Sequence, residues 1–364
     1  MADRIRPGRV ADEPWIIDAD GHVVEPNDMW ERFLPKRFQS AAPRLGVGPA
    51  SRSESQRPVS KMMTIEGGWD PSRRLPDMDL DGIERAVLFP TLGTLIESVP
   101  DDDALVAMHR AVNDWMSEYC AFAPDRLIGA GAIPSISGAA ALAEGRRCID
   151  ELGLRVLFRS PTLGRPGALP IHHPDFEPLW DYLESANITV VTHSGAPPGY
   201  CVERYPDGFM ASHVIHFVNE AMMALTSFVL YGILERHPEL RVGLVESGAT
   251  WARALCHRLD EHVEKSTTLD VHYDLPPGTK LSMMPSEYFR RQCFVTCEEM
   301  EPGLVEMLSD FPDNVLFASD YPHPDGVFPG ATQPLLSATQ LSNDQRRRIL
   351  RDNALRQYRL RENI

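Results

Sequence analysis

The sequence predicts an α/β fold, a (β/α)8 TIM barrel, and three observations carry that prediction. Short apolar, β-prone runs alternate with helical patterns along nearly all of the 364 residues, eight such runs can be counted, and acids or histidines stand at the ends of several of them. Strands alternating with helices imply a parallel sheet, and eight-unit barrels place their reactive side chains at the C-terminal ends of the strands. A doubly wound open sheet is the competing architecture. No Gly-x-Gly-x-x-Gly follows the first strand and no Gly-Lys-Ser/Thr phosphate loop occurs, so the nucleotide sites that accompany such sheets lack support. Residues 1–364 are read as a single domain with long excursions at 26–81 and 265–292.

The first strand lies in Trp15-Ile-Ile-Asp18-Ala-Asp20-Gly-His22-Val-Val-Glu25-Pro26. Side chains two apart on a strand share a face, so Asp18, Asp20 and His22 are expected to project together, with Glu25 in the next loop. An Asp-x-His pair at a strand end can grip a metal ion; turn and capping chemistry is the plainer alternative. Residues 26–81 are rich in Pro, Arg and Ser without periodicity and read as an excursion over the surface. Further strands are expected at 85–90, 127–133, 154–158, 188–192, 241–245, 293–297 and 315–319. Helical spacing marks 101–123, 138–152, 178–186, 211–236 and 250–264.

Composition narrows the function. A net charge of −16 argues against nucleic acid and anionic membrane as partners. The apolar runs read as strand-sized, so no membrane span is expected, and a start of Met-Ala-Asp-Arg without a secretory segment points to the cytoplasm. Six cysteines in a chain this long do not make a disulfide framework, and Cys293 and Cys297 read as core thiols. The 211–236 pattern carries more large apolar residues (Phe217, Met222, Met223, Leu225, Phe228) than one buried stripe needs, so a homodimer is expected.

His193, Glu246 and Asp320 each directly follow an apolar strand, and His323 lies three residues beyond Asp320. In a barrel these ends converge with Asp20 and His22, giving a metal site of carboxylates and imidazoles without thiolate. Any one of them could be satisfied by backbone or an arginine; four such strand ends together favour a site. Less direct candidates for substrate contact are His216 and Glu220, at helical spacing with His213, and Trp251 in the helix after Glu246. Glu298 and Glu299 follow the seventh strand and read equally as a solvated helix start.

Asp18-Ala-Asp-Gly-His-Val-Val-Glu-Pro26, Val191-Thr-His193, His237-Pro-Glu-Leu-Arg-Val-Gly-Leu-Val-Glu246 and Ala318-Ser-Asp-Tyr-Pro-His323 together resemble the amidohydrolase superfamily, and within it the amidohydrolase-2 branch of ring-acid decarboxylases and C–C hydrolases. The resemblance implies a metal-bearing barrel with ligands after strands 1, 5 and 8. Asp20 stands where the superfamily has the first histidine of His-x-His, Glu246 replaces the histidine after strand 6, and no lysine ends strand 4. The substituted set Asp20, His22, Glu25, His193, Glu246, Asp320 and His323 suits iron or manganese at least as well as zinc. The same carboxylate-for-histidine pattern is similar to that of nonheme di-iron monooxygenases of platensimycin and platencin biosynthesis. The leading expectation is therefore a nonheme, dinuclear iron monooxygenase that uses O2 to hydroxylate a small or medium organic acid or its thioester, with Glu246 bridging the ions and His193 and Asp320 in the catalytic set. The alternative is a mononuclear Zn- or Mn-dependent hydrolase or decarboxylase, in which Asp320 acts as general base to a metal-bound water or the metal holds a substrate carboxylate. A non-catalytic metal-binding scaffold gives no reason for polar groups to converge where barrels do chemistry.

Overall fold

The computed structural model describes residues 15–43, 64–195, 198–266 and 275–362. Eight parallel strands follow one another in sequence order: β1 (Ile16–Val23), β2 (Ile83–Pro90), β3 (Leu127–Ala132), β4 (Val156–Arg159), β5 (Thr189–Thr192), β6 (Arg241–Leu244), β7 (Cys293–Cys297) and β8 (Val315–Phe317). The ring closes just past β8, where Asp320 N donates to Asp20 O at 3.0 Å and His22 N donates to Tyr321 O at 2.7 Å. The architecture is the expected (β/α)8 barrel.

Alternation along each strand builds two cores. Val87 and Phe89, Val156 and Phe158, and Val191 point into the barrel, whereas Ala86 and Leu88, Leu157, and Val190 face the surrounding helices. The C-terminal helix Asn353–Gln357 closes the floor at the N-terminal end of the strands. Ala354, Leu355 and Tyr358 join the interior cluster, the Tyr358 ring meets Phe294 edge-on at 5.1 Å, and its hydroxyl donates to Ala19 O at 2.8 Å.

The strand β1 departs from regular alternation. Asp18 pairs with Ala86 but Gly21 with Leu88, so the register shifts between them. A bulge of this kind turns side chains on its two sides to different faces. This corrects the expectation that Asp18 shares a face with Asp20 and His22. Asp18 instead accepts from Ser319 N at 2.9 Å and Ser319 Oγ at 2.6 Å, tying β1 to the segment after β8. Gly21 has no room for a side chain: a Cβ there would lie 2.6 Å from Asp18 Oδ2 and 2.7 Å from Arg74 Nη2.

The excursions are only partly what the sequence suggested. Residues 44–63 and 267–274 lie outside the described residues, but the flanking parts are packed structure. Met29 and Trp30 of the short helix Met29–Phe33 are fully buried. The helix Pro71–Leu80 starts from an Asp70 N-cap whose side chain accepts from Ser72 N at 2.9 Å, and it buries Arg74 against β1. Tyr288 and Phe289 of the helix Pro285–Gln292 are likewise fully buried. The 211–236 pattern becomes the helices Phe209–Leu230 and Ile233–Arg236, separated at Gly232, whose φ of 69° is left-handed. Phe209–Leu230 is long and apolar enough to cross a membrane, contrary to the expectation that no stretch would be. Here its Ala221, Ala224, Leu225, Phe228 and Val229 are buried in the protein.

The floor makes a testable contribution. Tyr358→Phe, which removes only the hydrogen bond to Ala19 O, is expected to cost about 1 kcal/mol, and Tyr358→Ala about 3–5 kcal/mol, in urea unfolding. Metal content should stay at the wild-type level in both, because the floor lies at the opposite end from the strand C-termini. Unchanged unfolding of Tyr358→Ala would contradict this role.

Candidate metal centre

Asp20 and His22 come from β1, His193 directly follows β5, Glu246 lies two residues past β6, and Asp320 lies three past β8. Glu246 and Asp320 both have φ of 51°, a left-handed conformation unusual for residues with a side chain. Such a conformation costs on the order of 1–3 kcal/mol and persists where surrounding contacts enforce it. Glu246 N donates to Thr296 Oγ1 at 3.1 Å and Asp320 N to Asp20 O at 3.0 Å, so each strained turn is fastened to a neighbouring strand. Both turns carry a carboxylate into the barrel mouth.

The donor atoms converge there. His193 Nε2 lies 3.0 Å from His22 Nε2, 2.6 Å from Glu246 Oε2 and 3.8 Å from Asp20 Oδ1. His22 Nε2 lies 3.4 Å from Glu246 Oε2 and 3.7 Å from both Asp20 Oδ1 and Asp320 Oδ1. His323 stacks on His22 at 4.0 Å and sets Nδ1 2.9 Å from Asp320 Oδ1. Asp20, His22, His193 and Asp320 are buried, yet Asp20 Oδ1, Glu246 Oε2 and both oxygens of Asp320 lack a hydrogen-bond partner. Glu246 Oε2 is thus close to His193 Nε2 without the alignment of a hydrogen bond.

Electrostatics explains how these groups could favour a cation. Burial pushes the Asp20 carboxyl well above its ordinary value, with Glu246 and Asp320 adding to the rise against the pull of His193. Burial does the same to Asp320, reinforced by Glu246 and Glu298. Burial and the neighbouring His323 push His22 well below the usual imidazole range. Burial also opposes charge on both His193 and Glu246, but their mutual attraction wins, holding His193 up to about 9 and Glu246 well below the carboxylate range. The chemistry fits a divalent ion: hard oxygen and imidazole donors, orphaned inside a low-dielectric pocket, with spacings near the ~3 Å that separates neighbouring ligands bound at ~2.0–2.2 Å. Two overlapping donor groups, His22 with Glu246, Asp320 and His323, and Asp20 with His22 and His193, share His22 and so form one cluster among the described residues.

Other sequence candidates sit elsewhere. Glu25 is not brought into the cluster: its carboxylate accepts from Thr91 N at 3.1 Å, Leu92 N at 2.8 Å and Gly93 N at 3.1 Å. His216 is buried with Nε2 3.3 Å from Gly195 O. One turn further, Glu220 accepts from the Tyr200 hydroxyl at 2.9 Å and lines a cavity of about 460 Å³ with Leu163, Ile171 and Met223, which none of the metal donors lines. Trp251 Nε1 donates to Gly248 O at 2.8 Å within its own turn. Glu298 is close enough to Asp320 to raise its pKa, and its own carboxyl is pushed up to about 7 by burial and by Glu246.

Two functional residues escaped sequence reasoning. Arg74 donates from Nη1 to His22 O at 2.7 Å and lies over the Tyr321 ring at 4.2 Å, holding the metal-facing turn of β1 from behind. The Asp70-Pro71 pair, an N-cap followed by proline at the first helical position, was the available signal for its helix. Thr91, directly after β2, places Oγ1 2.8 Å from His323 Nε2; nothing in the sequence distinguishes it.

Comparison with known proteins supplies the family. A family model described as amidohydrolase matches residues 17–360. Gamma-resorcylate decarboxylase of Rhodococcus jostii is 25% identical over 298 residues, 79% of this chain and 87% of that one. The 2-amino-3-carboxymuconate-6-semialdehyde decarboxylase of Dictyostelium discoideum is 23% identical over 342 residues, 90% of each chain. A manganese-bound 5-carboxyvanillate decarboxylase from Novosphingobium aromaticivorans shares the fold with a TM-score of 0.74 and 20% identity, over 95% of this chain and 97% of that one. These decarboxylases overturn the expected iron monooxygenase. The carboxylate-for-histidine exchanges that suggested iron are accommodated in a single donor cluster built on shared His22, and the metal named in the similar structure is manganese. The comparisons favour the alternative over the leading expectation, and the chain belongs to the amidohydrolase family, in its amidohydrolase-2 branch.

Proposed function

We propose that the protein is a mononuclear, divalent-metal-dependent decarboxylase acting on a small ring-borne carboxylic acid, with a carboxylated phenol as the leading substrate class. The observation that carries the reading is the buried cluster of orphaned carboxylate and imidazole donors at the barrel mouth, in a chain whose relatives are named as decarboxylases. Asp20, His22, His193 and Glu246 would hold the ion, with manganese or zinc suited to such donors. A bound divalent ion there supplies Lewis-acid polarisation of a substrate carboxylate and a neighbouring hydroxyl. The ion would also ease a charge conflict, since an anionic substrate approaching this end of the barrel faces the carboxyl groups of Asp20, Glu246 and Asp320.

Asp320 is placed for the proton. In the metal-free protein its carboxyl is driven toward the protonated form by burial and by Glu246 and Glu298. As the bond to the carboxylate carbon breaks, its electron pair stays on the ring carbon, CO2 departs, and the Asp320 proton is taken up at that carbon. His323 lies against Asp320, with Nδ1 2.9 Å from Oδ1, and is the more exposed of the two.

A homodimer remains part of the proposal, resting mainly on residues other than those first singled out; of the latter, Met223 is 48% exposed. Leu225 and Phe228 are buried within the chain, but Phe209, Met210 and Val214 on the same helix are 74%, 77% and 67% exposed and form an apolar surface suited to a second copy. A cytoplasmic setting is supported by six buried, unpaired cysteines.

Three outcomes test this reading. Protein purified without added metal should carry about one manganese or zinc per chain, and His22→Ala and His193→Ala should lose it while keeping the wild-type far-UV circular dichroism. Release of CO2 from 2,6-dihydroxybenzoate or 5-carboxyvanillate should proceed equally under nitrogen and air; turnover that needs O2 would overturn the proposal. Metal affinity should rise with pH. His193, held protonated up to about 9 in the metal-free protein, must give up its proton to bind the ion, so affinity should gain about tenfold per pH unit below that value. Calorimetry showing no proton release on manganese binding would contradict the role of His193.

A further inference from the structure

The cavity of about 460 Å³ beside the helix Phe209–Leu230 shares no residue with the metal cluster. Glu220, Met223, Ala224 and Ser227 line it at positions i, i+3, i+4 and i+7, which is one continuous helix face. Glu220 and Ser227 therefore stand two turns apart, on the order of 10 Å, with apolar side chains between them. Leu163 and Ile171, from the segment after β4, line it as well. Leu163 and Met223 are 50% and 48% exposed, so the rim of the cavity is at the protein surface.

Both polar ends are held in place. Glu220 is 3% exposed and accepts from the Tyr200 hydroxyl at 2.9 Å. Ser227 Oγ lies 3.2 Å from His172 Nδ1, and the His172 ring stacks on Tyr231 at 3.5 Å. Burial pushes the Glu220 carboxyl above its ordinary value, and burial with the neighbouring His173 and Arg159 pushes His172 below the usual imidazole range, so each end favours its uncharged form. No lysine or arginine lines the cavity among the described residues. Mostly apolar walls, a few fixed hydrogen-bonding groups and a volume of this size are the features of a small-molecule site.

We infer that this cavity is a second binding site, independent of the metal, for an uncharged phenol whose ring lies against Met223 and Ala224 and whose hydroxyl donates to Glu220. A carboxylate oxygen has more than one lone pair, so Glu220 can accept from a ligand hydroxyl while keeping the bond from Tyr200. A benzoate would bring its charge against Glu220 with no cation to offset it, and a benzylammonium would require Glu220 to hold full charge in a buried place. The site thus takes the class of molecule that decarboxylation of a phenolic acid releases and refuses the acid itself. That connection to product rests on the decarboxylase reading; the binding does not. The two sites are neighbours: His216, one turn before Glu220, has Nε2 3.3 Å from Gly195 O, two residues past His193.

The test titrates the full-length protein, as purified and after removal of metal by a chelator, with 3-fluorophenol, followed by fluorine NMR. Saturable binding should persist without metal, and 3-fluorobenzoate and 3-fluorobenzylamine should bind at least about tenfold more weakly. Glu220→Leu, which removes the acceptor, and Ala224→Leu, which fills the space, should each weaken phenol binding about tenfold or more, while Glu220→Gln, which keeps an acceptor, should bind as wild type. Wild-type crystals soaked in 4-bromophenol should give an anomalous bromine peak between Glu220 and Ile171, a result that needs no variant to fold. A bromine peak only at the metal cluster, binding that vanishes with the metal, or benzoate or benzylamine binding as tightly as phenol would overturn the inference. Phenol held in this cavity by a protein that releases no CO2 from any carboxylated phenol would uphold the site and count against the decarboxylase reading instead.

Discussion

The constraint on which the structure turns is the crowding of carboxylates and imidazoles in a buried space at the barrel mouth. Burial disfavours charge on each group, and the carboxylates raise one another further, so the cluster is stable only when its negative charge is answered. In the metal-free protein the answer is partial: His193 takes a proton and pairs with Glu246, leaving Asp20 and Asp320 with unmatched oxygens. A divalent ion held by these groups would supply the missing positive charge. The proposed metal binding and its proton release, and the raised carboxyl of Asp320 in the metal-free protein, trace to the same electrostatic problem.

The surrounding scaffold exists to keep that crowd in place. The bulge in β1 sends Asp18 away to grip Ser319 while Asp20 and His22 turn inward, and Arg74 secures the bulged backbone from the far side. Left-handed turns at Glu246 and Asp320 aim two carboxylates that regular strands would have pointed elsewhere. The apolar interior below, closed by Tyr358, is what allows a rim under this strain to remain fixed.

Strand identities were legible because buried parallel strands read as apolar runs, and the ends of those runs exposed His193, Glu246 and Asp320 directly. The fate of Asp18 was not legible, since a one-residue bulge leaves no mark on a period-two pattern. Glu25 looked like a ligand by composition and proximity in sequence; only the three-dimensional approach of the loop after β2 shows its oxygens already taken. Arg74 was hidden in a stretch without periodicity, although Asp70-Pro71 announced the helix that carries it. The chemistry was misjudged for a different reason: a set of carboxylates and imidazoles is compatible with oxygen activation and with decarboxylation, and ligand type alone does not choose between them.

The central claim, that one ion answers the buried charge, is tested most directly by anomalous X-ray diffraction from crystals of the manganese-loaded protein, recorded on either side of the manganese absorption edge. The account predicts one anomalous peak per chain, within bonding distance of His22 and His193 and flanked by Asp20 and Glu246, with Glu25 still bound to the loop at Thr91–Gly93. Two peaks in the barrel mouth, or one peak coordinated by Glu25, would contradict it.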